Sequence, residues 1–319
     1  MLTDPVVTQL RARFPDAHLA MMVGERARQV FAGDPRVDAL ITMDEFTGGL
    51  GRLRLAWLVW RMHPDVLVDL RHTALPLVWK PWRIWRYVWP VPPTITHMRV
   101  RHLWRLRWQV PEVRDAADQP DGFGRWLRPE EVASIEQLAS RWGLRQGQRL
   151  IVICPGARSH IKRWSAEGFA AVADRLIHEA DAEVVFAGEP DEAPLINDIR
   201  AAMHRPAHSA AGHTTIRQLA ALMQRARLVI TNDSAALHVA GAVGTPILAI
   251  FGPTDPRKYG PTGARDRVIQ RQLFCVPCEQ ALCRFHHECM RFISPEEVYR
   301  AAEQILEGEG SRVKGPTHH

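Results

Sequence analysis

No apolar run in these 319 residues approaches the about 20 that a membrane-spanning helix needs, which excludes a helical membrane protein. The stretch LRLAWLVWRMHP (53–64) is too short and is broken by Arg54 and Arg61. No secretory signal opens the chain, so the cytoplasm is the expected compartment. There is no short-period repeat, and low complexity is confined to GEGSRVKGPTHH at the end, expected to be a disordered tail. Cysteine is scarce outside one cluster: only Cys154 stands apart, which argues against a disulfide scaffold. Lysine is scarcer still. Only Lys80, Lys162, Lys258 and Lys314 occur, so arginines carry almost all of a basic balance of +6. Codon composition alone would produce such a skew. The functional reading is an anionic partner: a phosphorylated ligand, an anionic lipid surface or nucleic acid.

The length exceeds one hydrophobic core and points to two domains. The second half alternates apolar runs with amphipathic stretches. RLIVIC (149–154), AEVVFAG (182–188), RLVIT (227–231) and PILAIFG (246–252) read as buried strands. Helical segments at 165–180, 191–203, 214–226 and 234–243 separate them, which makes βαβ units and a covered parallel sheet. The first half repeats the pattern with strand candidates at 18–23, 37–43 and 65–70. Residues 111–124 suit a linker, and a helix at 129–142 leads into the second sheet. The expected division is 1–145, 146–308 and the tail 309–319.

Polar chemistry gathers where these strands end. TNDSAALHVAGAVGTPILAIFGPTDP (231–256) places Asp233, Ser234 and His238 at a strand end and the start of a helix. Ligands bind beyond the carboxyl ends of parallel strands, and the free N–H groups of a helix start favour an anion such as a diphosphate. The bland alternative is a helix cap with a structural histidine. CPGARSHIKRW (154–164) is a second such loop, with Lys162 among its cations. It lacks the Walker pattern, and a solvated basic loop is its ordinary explanation. AGEPDEA (187–193) supplies acids able to accept sugar hydroxyls, although acids at a helix start commonly serve its dipole.

Together these stretches resemble glycosyltransferase family 9, the lipopolysaccharide heptosyltransferases. The likeness runs through the 231–256 signature, CPGARSHIKRW, CVPCEQALCRFHHECMRFISPEEV (275–298), RARFPDAHLAMMV and DVLVDLR. It implies a GT-B fold of two Rossmann-like α/β domains and an inverting, metal-independent transfer needing no cofactor. The C-terminal domain would hold a nucleotide-diphosphate sugar, typically ADP-heptose. The N-terminal domain would present a lipid-linked saccharide acceptor such as the lipopolysaccharide inner core. On that likeness Lys162, Asp233, Ser234, Ala235, Ala236 and His238 bind the donor, Ala235 standing where glycine is usual. Asp191 or Glu192 matches the ribose-binding carboxylate. The family's Gly-Asp turn, which carries the proposed general base, would precede Met1, and Asp4 is a poor substitute for it. Two readings follow: a misassigned start or truncated gene, or a protein that has lost transfer and only binds ligand, or else uses Asp4.

Two features stand beside the resemblance. Cys275, Cys278, Cys283 and Cys289 form C-x2-C-x4-C-x5-C, a spacing that fits either one structural zinc or four reduced, packed thiols. Residues 79–108 interleave tryptophan with arginine, which suits the inner membrane surface and a peripheral protein. Single-stranded nucleic acid is the alternative partner from another class, although the family resemblance gives no reason to expect it.

Overall fold

The computed structural model describes residues 2–71, 73, 75–80, 82, 85–113, 123–145 and 147–308. The expected tail and residues 114–122 of the expected linker lie outside them. The chain divides into two compact units, Met1–Gly122 and Phe123–His319.

The first unit opens with α1 (Asp4–Arg13), whose Pro5 sits in the first turn where no N–H is missed. Strands β1 (Ala20–Val23) and β2 (Ala39–Thr42) pair in parallel, Ala20 opposite Ala39, around α2 (Glu25–Phe31). Helices α3 (Gly48–Met62), α4 (Leu75–Trp79), α5 (Trp85–Val88) and α6 (Met98–Gln109) follow. Val6, Leu103, Leu106, Val110 and Val113 form a small core between α1 and α6.

The strand expected at 65–70 joins no ladder among the described residues. Side chains take the place of a neighbouring strand. The Gln109 amide accepts from Asp69 N–H and donates to Asp69 C=O, both at 2.8 Å. Tyr87 Oη donates to Leu67 C=O at 3.0 Å, and the Arg105 guanidinium donates to Leu70 C=O. The strand expected there is not formed, because pairing depends on what lies alongside.

Asp4 is not a solvent-facing carboxylate. It is fully buried, and its Oδ1 lies 2.6 Å from Arg36 Nη2. Arg36 also binds Asp34 at 2.6 Å and Thr8 Oγ1 at 2.7 Å. Buried beneath Arg36, the Asp4 carboxylate has no exposed surface from which to meet an acceptor hydroxyl, which argues against it as a general base.

The second unit's first α-helix is α7 (Pro129–Arg141), which the expected division at 145 assigns to the first domain. Its packing corrects that boundary. Arg217 Nε, on α10 (Ile216–Arg225), donates to Glu131 Oε1 at 2.6 Å, both side chains being buried. Arg225 pairs with Glu136, and Gln218 Nε2 donates to Ser134 Oγ at 2.9 Å. A buried ion pair is costly to leave half-made, so it holds α7 to this unit.

Six parallel strands form its sheet, in the order β5-β4-β3-β6-β7-β8. They are β3 (Arg149–Cys154), β4 (Ala182–Phe186), β5 (His208–Ser209), β6 (Leu228–Asn232), β7 (Ile247–Phe251) and β8 (Arg267–Gln270). Every residue of β6 and β7 is buried, as continuous apolar runs covered on both faces require. Helices α8 (Ala166–Glu179), α9 (Ala193–Ala202) and α11 (Ala235–Val243) join α10 in the crossovers. Short α12 (Pro256–Tyr259) and α13 (Glu288–Arg291) precede the closing helix α14 (Pro295–Glu307). Ser165 and Thr215 cap α8 and α10 through their hydroxyls, and Gly244, in the left-handed region at φ 79°, ends α11.

Candidate functional site

Strand order reverses between β3 and β6, so the crevice beyond their carboxyl ends is the topological switch point where open α/β sheets bind ligands. Pro155–Trp164 leaves β3 there, Asp233 and Ser234 leave β6, and Gly252–Asp255 leaves β7. Asn232 fastens the first two. Its Nδ2 donates to Pro155 C=O at 2.7 Å, and its Oδ1 accepts from Trp164 N–H at 3.1 Å.

The structure brings Lys162 and Asp233 together. Lys162 Nζ lies 2.7 Å from Asp233 Oδ2, and Thr254 Oγ1 donates to the same oxygen at 2.7 Å. Asp233 is buried, while the Lys162 side chain is 29% exposed. An anion that already holds both groups through Oδ2 is suited to aiming the lysine, and unsuited to touching phosphate itself. Ser234 is the N-cap of α11 without a side-chain capping bond; its hydroxyl meets Thr231 Oγ1 at 3.1 Å. The first N–H groups of this helix therefore remain for an anion. Ala235 is exposed and Ala236 half-buried at that start, and His238 is half-buried one turn on, along the same helix edge as Ser234.

Among the three acids of AGEPDEA, Glu189, Asp191 and Glu192, geometry separates the roles, Glu189 being exposed. Asp191 is exposed, whereas Glu192 turns back toward the end of β3. A Cβ on Gly156 would lie 1.8 Å from Glu192 Oε1, and one on Gly188 would lie 2.6 Å from Oε2. The two glycines thus leave the space that the carboxylate fills. Burial raises the Glu192 carboxyl above the usual glutamate range, against the lowering effect of the Glu189 N–H bonded to Oε2 at 3.0 Å. Thr254, Asn232 and Gly188 were not singled out from sequence. Only the position of each at or just after a strand end signals it.

The cysteine segment braces this rim. Pro253 C=O accepts from Cys278 N–H at 3.0 Å and Glu279 N–H at 2.9 Å, and Lys258 pairs with Glu279 at 2.7 Å. His287 meets His160 edge-on, ring centroids 5.5 Å apart. Cys275, Cys278, Cys283 and Cys289 all line one cavity with Ile161 and Pro253. Cys283 Sγ accepts from Phe285 and His287 N–H at 3.3 Å. Burial, then the neighbouring thiols, pushes the Cys289 thiol up to about 11. As placed, no three His, Cys, Asp or Glu side chains among the described residues are grouped to hold a metal ion.

A doubly wound sheet with a lysine, an open helix N-terminus and a buried acid at its switch point is the arrangement in which α/β proteins hold anionic ligands. Comparison with known proteins gives the family. The model of glycosyltransferase family 9 (heptosyltransferase) matches residues 53–288, and the chain belongs to that family. Lipopolysaccharide heptosyltransferase 2 of Salmonella typhimurium is 29% identical over 97% of this chain and 96% of its own length. Lipooligosaccharide heptosyltransferase 2 of Campylobacter jejuni is 31% identical, over 51% of this chain and 53% of its own length, so that match spans about half of the relative. Among solved structures, the glycosyl transferase family 9 protein from Veillonella parvula superposes with a TM-score of 0.82. It shares 25% identity, over 96% of this chain and 93% of that one. The expected GT-B class, with its parallel α/β sheets, is thereby met.

Proposed function

We propose that this protein is an inverting heptosyltransferase, moving heptose from ADP-heptose to a lipid-linked saccharide such as the lipopolysaccharide inner core. The observation that carries the reading is the Lys162–Asp233–Thr254 cluster beside the open start of α11. As the acceptor hydroxyl attacks the anomeric carbon, the bond to the nucleotide breaks and negative charge grows on the departing diphosphate. Lys162 and the α11 N–H groups are set to take that charge, stabilising the departing group more than the bound donor. Neutralisation by these groups makes the transfer independent of a divalent metal. Glu192 accepts hydrogen bonds from the ribose hydroxyls in its slot between Gly156 and Gly188.

The first unit presents the acceptor. Because that acceptor is anchored in lipid, the protein works in the cytoplasm, peripherally on the inner face of the membrane. Among the described residues no helix is long and apolar enough to cross a membrane. Thermal unfolding with ADP, UDP and GDP and their sugars tests the donor assignment. ADP ligands should raise the midpoint most; equal shifts for all three, or none, would contradict it.

A further inference from the structure

Helix α3 carries two apolar stripes. Gly51, Leu55 and Val59, four residues apart, are buried against the first unit. Leu50, Leu53, Trp57 and Trp60 repeat at intervals of three, four and three, and they are 80%, 68%, 53% and 56% exposed. At about 100° per residue the second stripe lies about 180° from the first. Packing already consumes one face, and the other has no covering partner among the described residues. Helix α4 packs beside α3 and extends the apolar surface with exposed Leu77 and Val78.

Charge decides what such a face meets. Residues 47–110 contain ten arginines and one lysine against two acids, Asp65 and Asp69. Arg54 and Arg61 flank the exposed stripe, and the Arg61 guanidinium sits 5.1 Å from the centre of the Trp57 ring. Tryptophan edged by arginine is the pairing that settles at a headgroup boundary, the indole among acyl chains and the cation among lipid phosphates. A second copy of this chain would set one cationic rim against another. Nucleic acid would leave Leu50 and Leu53 unused, since bases stack on aromatic rings and not on aliphatic side chains.

We infer that the outer face of α3 is a membrane-docking surface, which lays Leu50, Leu53, Trp57 and Trp60 into an anionic bilayer with Arg54 and Arg61 on its phosphates. The inference rests on the membrane-surface reading above and assigns it to one helix. It places docking on one helix outside the tryptophan-rich 79–108, where Trp82, Trp85 and Trp89 are exposed as well, at 71%, 50% and 53%. Several tryptophans there stack on each other: Trp104 and Trp89 lie 5.4 and 5.7 Å from Trp108.

Co-sedimentation of the full chain with phosphatidylcholine vesicles, with and without phosphatidylglycerol, tests this. The protein should bind the anionic vesicles and largely ignore the neutral ones. Trp57→Ser combined with Trp60→Ser should weaken binding roughly tenfold or more, as two interfacial rings are withdrawn from lipid. Arg54→Gln should weaken it about fivefold, near 1 kcal/mol per cation. Both variants alter solvent-facing positions, so their unfolding midpoints and their stabilisation by ADP should match the parent. A parent that binds anionic vesicles together with a double variant that binds equally well would overturn the α3 assignment alone. A parent that binds no vesicle would overturn the membrane-surface reading itself. Binding of a single-stranded oligonucleotide that the double variant loses in parallel would replace the bilayer with nucleic acid as the partner.

Discussion

Replacing Lys162 by alanine separates a donor-binding lysine from a merely structural one. In the ligand-free site its ammonium is held 2.7 Å from Asp233 Oδ2. Asp233 keeps the Thr254 hydroxyl at 2.7 Å when the lysine goes, so the carboxylate is not left bare. The Lys162 side chain is 29% exposed, which brings the stability cost close to that of a surface pair, about 0.5–1 kcal/mol. A charge-assisted hydrogen bond to a phosphate is worth more, about 1.5–3 kcal/mol. That converts to roughly 10- to 150-fold weaker nucleotide binding. Calorimetric titration with ADP, alongside chemical denaturation, measures both quantities on one preparation. The two should diverge: a large loss of affinity with a small loss of stability. Affinity within twofold of the parent would refute the placement of the diphosphate at Lys162.

Other consequences follow from the same geometry. Glu192→Gln should stabilise the ligand-free protein slightly, because a carboxyl whose folded pKa is raised favours folding below its unfolded pKa and loses that contribution as pH rises through the folded value. The same variant should weaken ADP binding, and in the parent ADP affinity should fall on acidification at a higher pH than an ordinary glutamate would dictate; pH-resolved titrations check both. Arg36→Met should cost about 3–5 kcal/mol in denaturant unfolding, since it strands the buried carboxylates of Asp4 and Asp34. A loss below about 1 kcal/mol would contradict the buried cluster. Treatment with EDTA should leave transfer unchanged, and restoration of a lost activity by magnesium or manganese would show that Lys162 and α11 do not suffice.

Much of the second unit could be read directly from its residues. Strands buried on both faces must be apolar throughout, so RLIVIC and PILAIFG announce β3 and β7 without needing any partner to be known. The edges are different. His208–Ser209 and Arg267–Gln270 are short and partly exposed, and carry no such run. The 65–70 stretch has the composition of a strand, yet its backbone is satisfied by Gln109, Tyr87 and Arg105, which only the fold brings near. At the site, Lys162, Asp233 and Ser234 were visible because each follows a strand end. The choice of Glu192 over Asp191 depended on space left by Gly156 and Gly188, one of them on a different loop. That Asp4 is buried was not legible, because helix periodicity does not show that Arg36, distant in sequence, closes over it. The exposed face of α3 was hidden for a related reason: two apolar stripes on one helix look like ordinary core until one of them is seen to lack a covering layer.

The central claim is transfer, and one assay addresses it directly. Protein, ADP-heptose and a lipid-linked inner-core acceptor are incubated together, with released ADP and the acceptor's mass both followed. The account predicts that each ADP released is matched by one heptose gained, with the new linkage inverted at the anomeric carbon. Donor binding with neither ADP release nor a heavier acceptor would contradict it and leave a protein that only holds the nucleotide sugar.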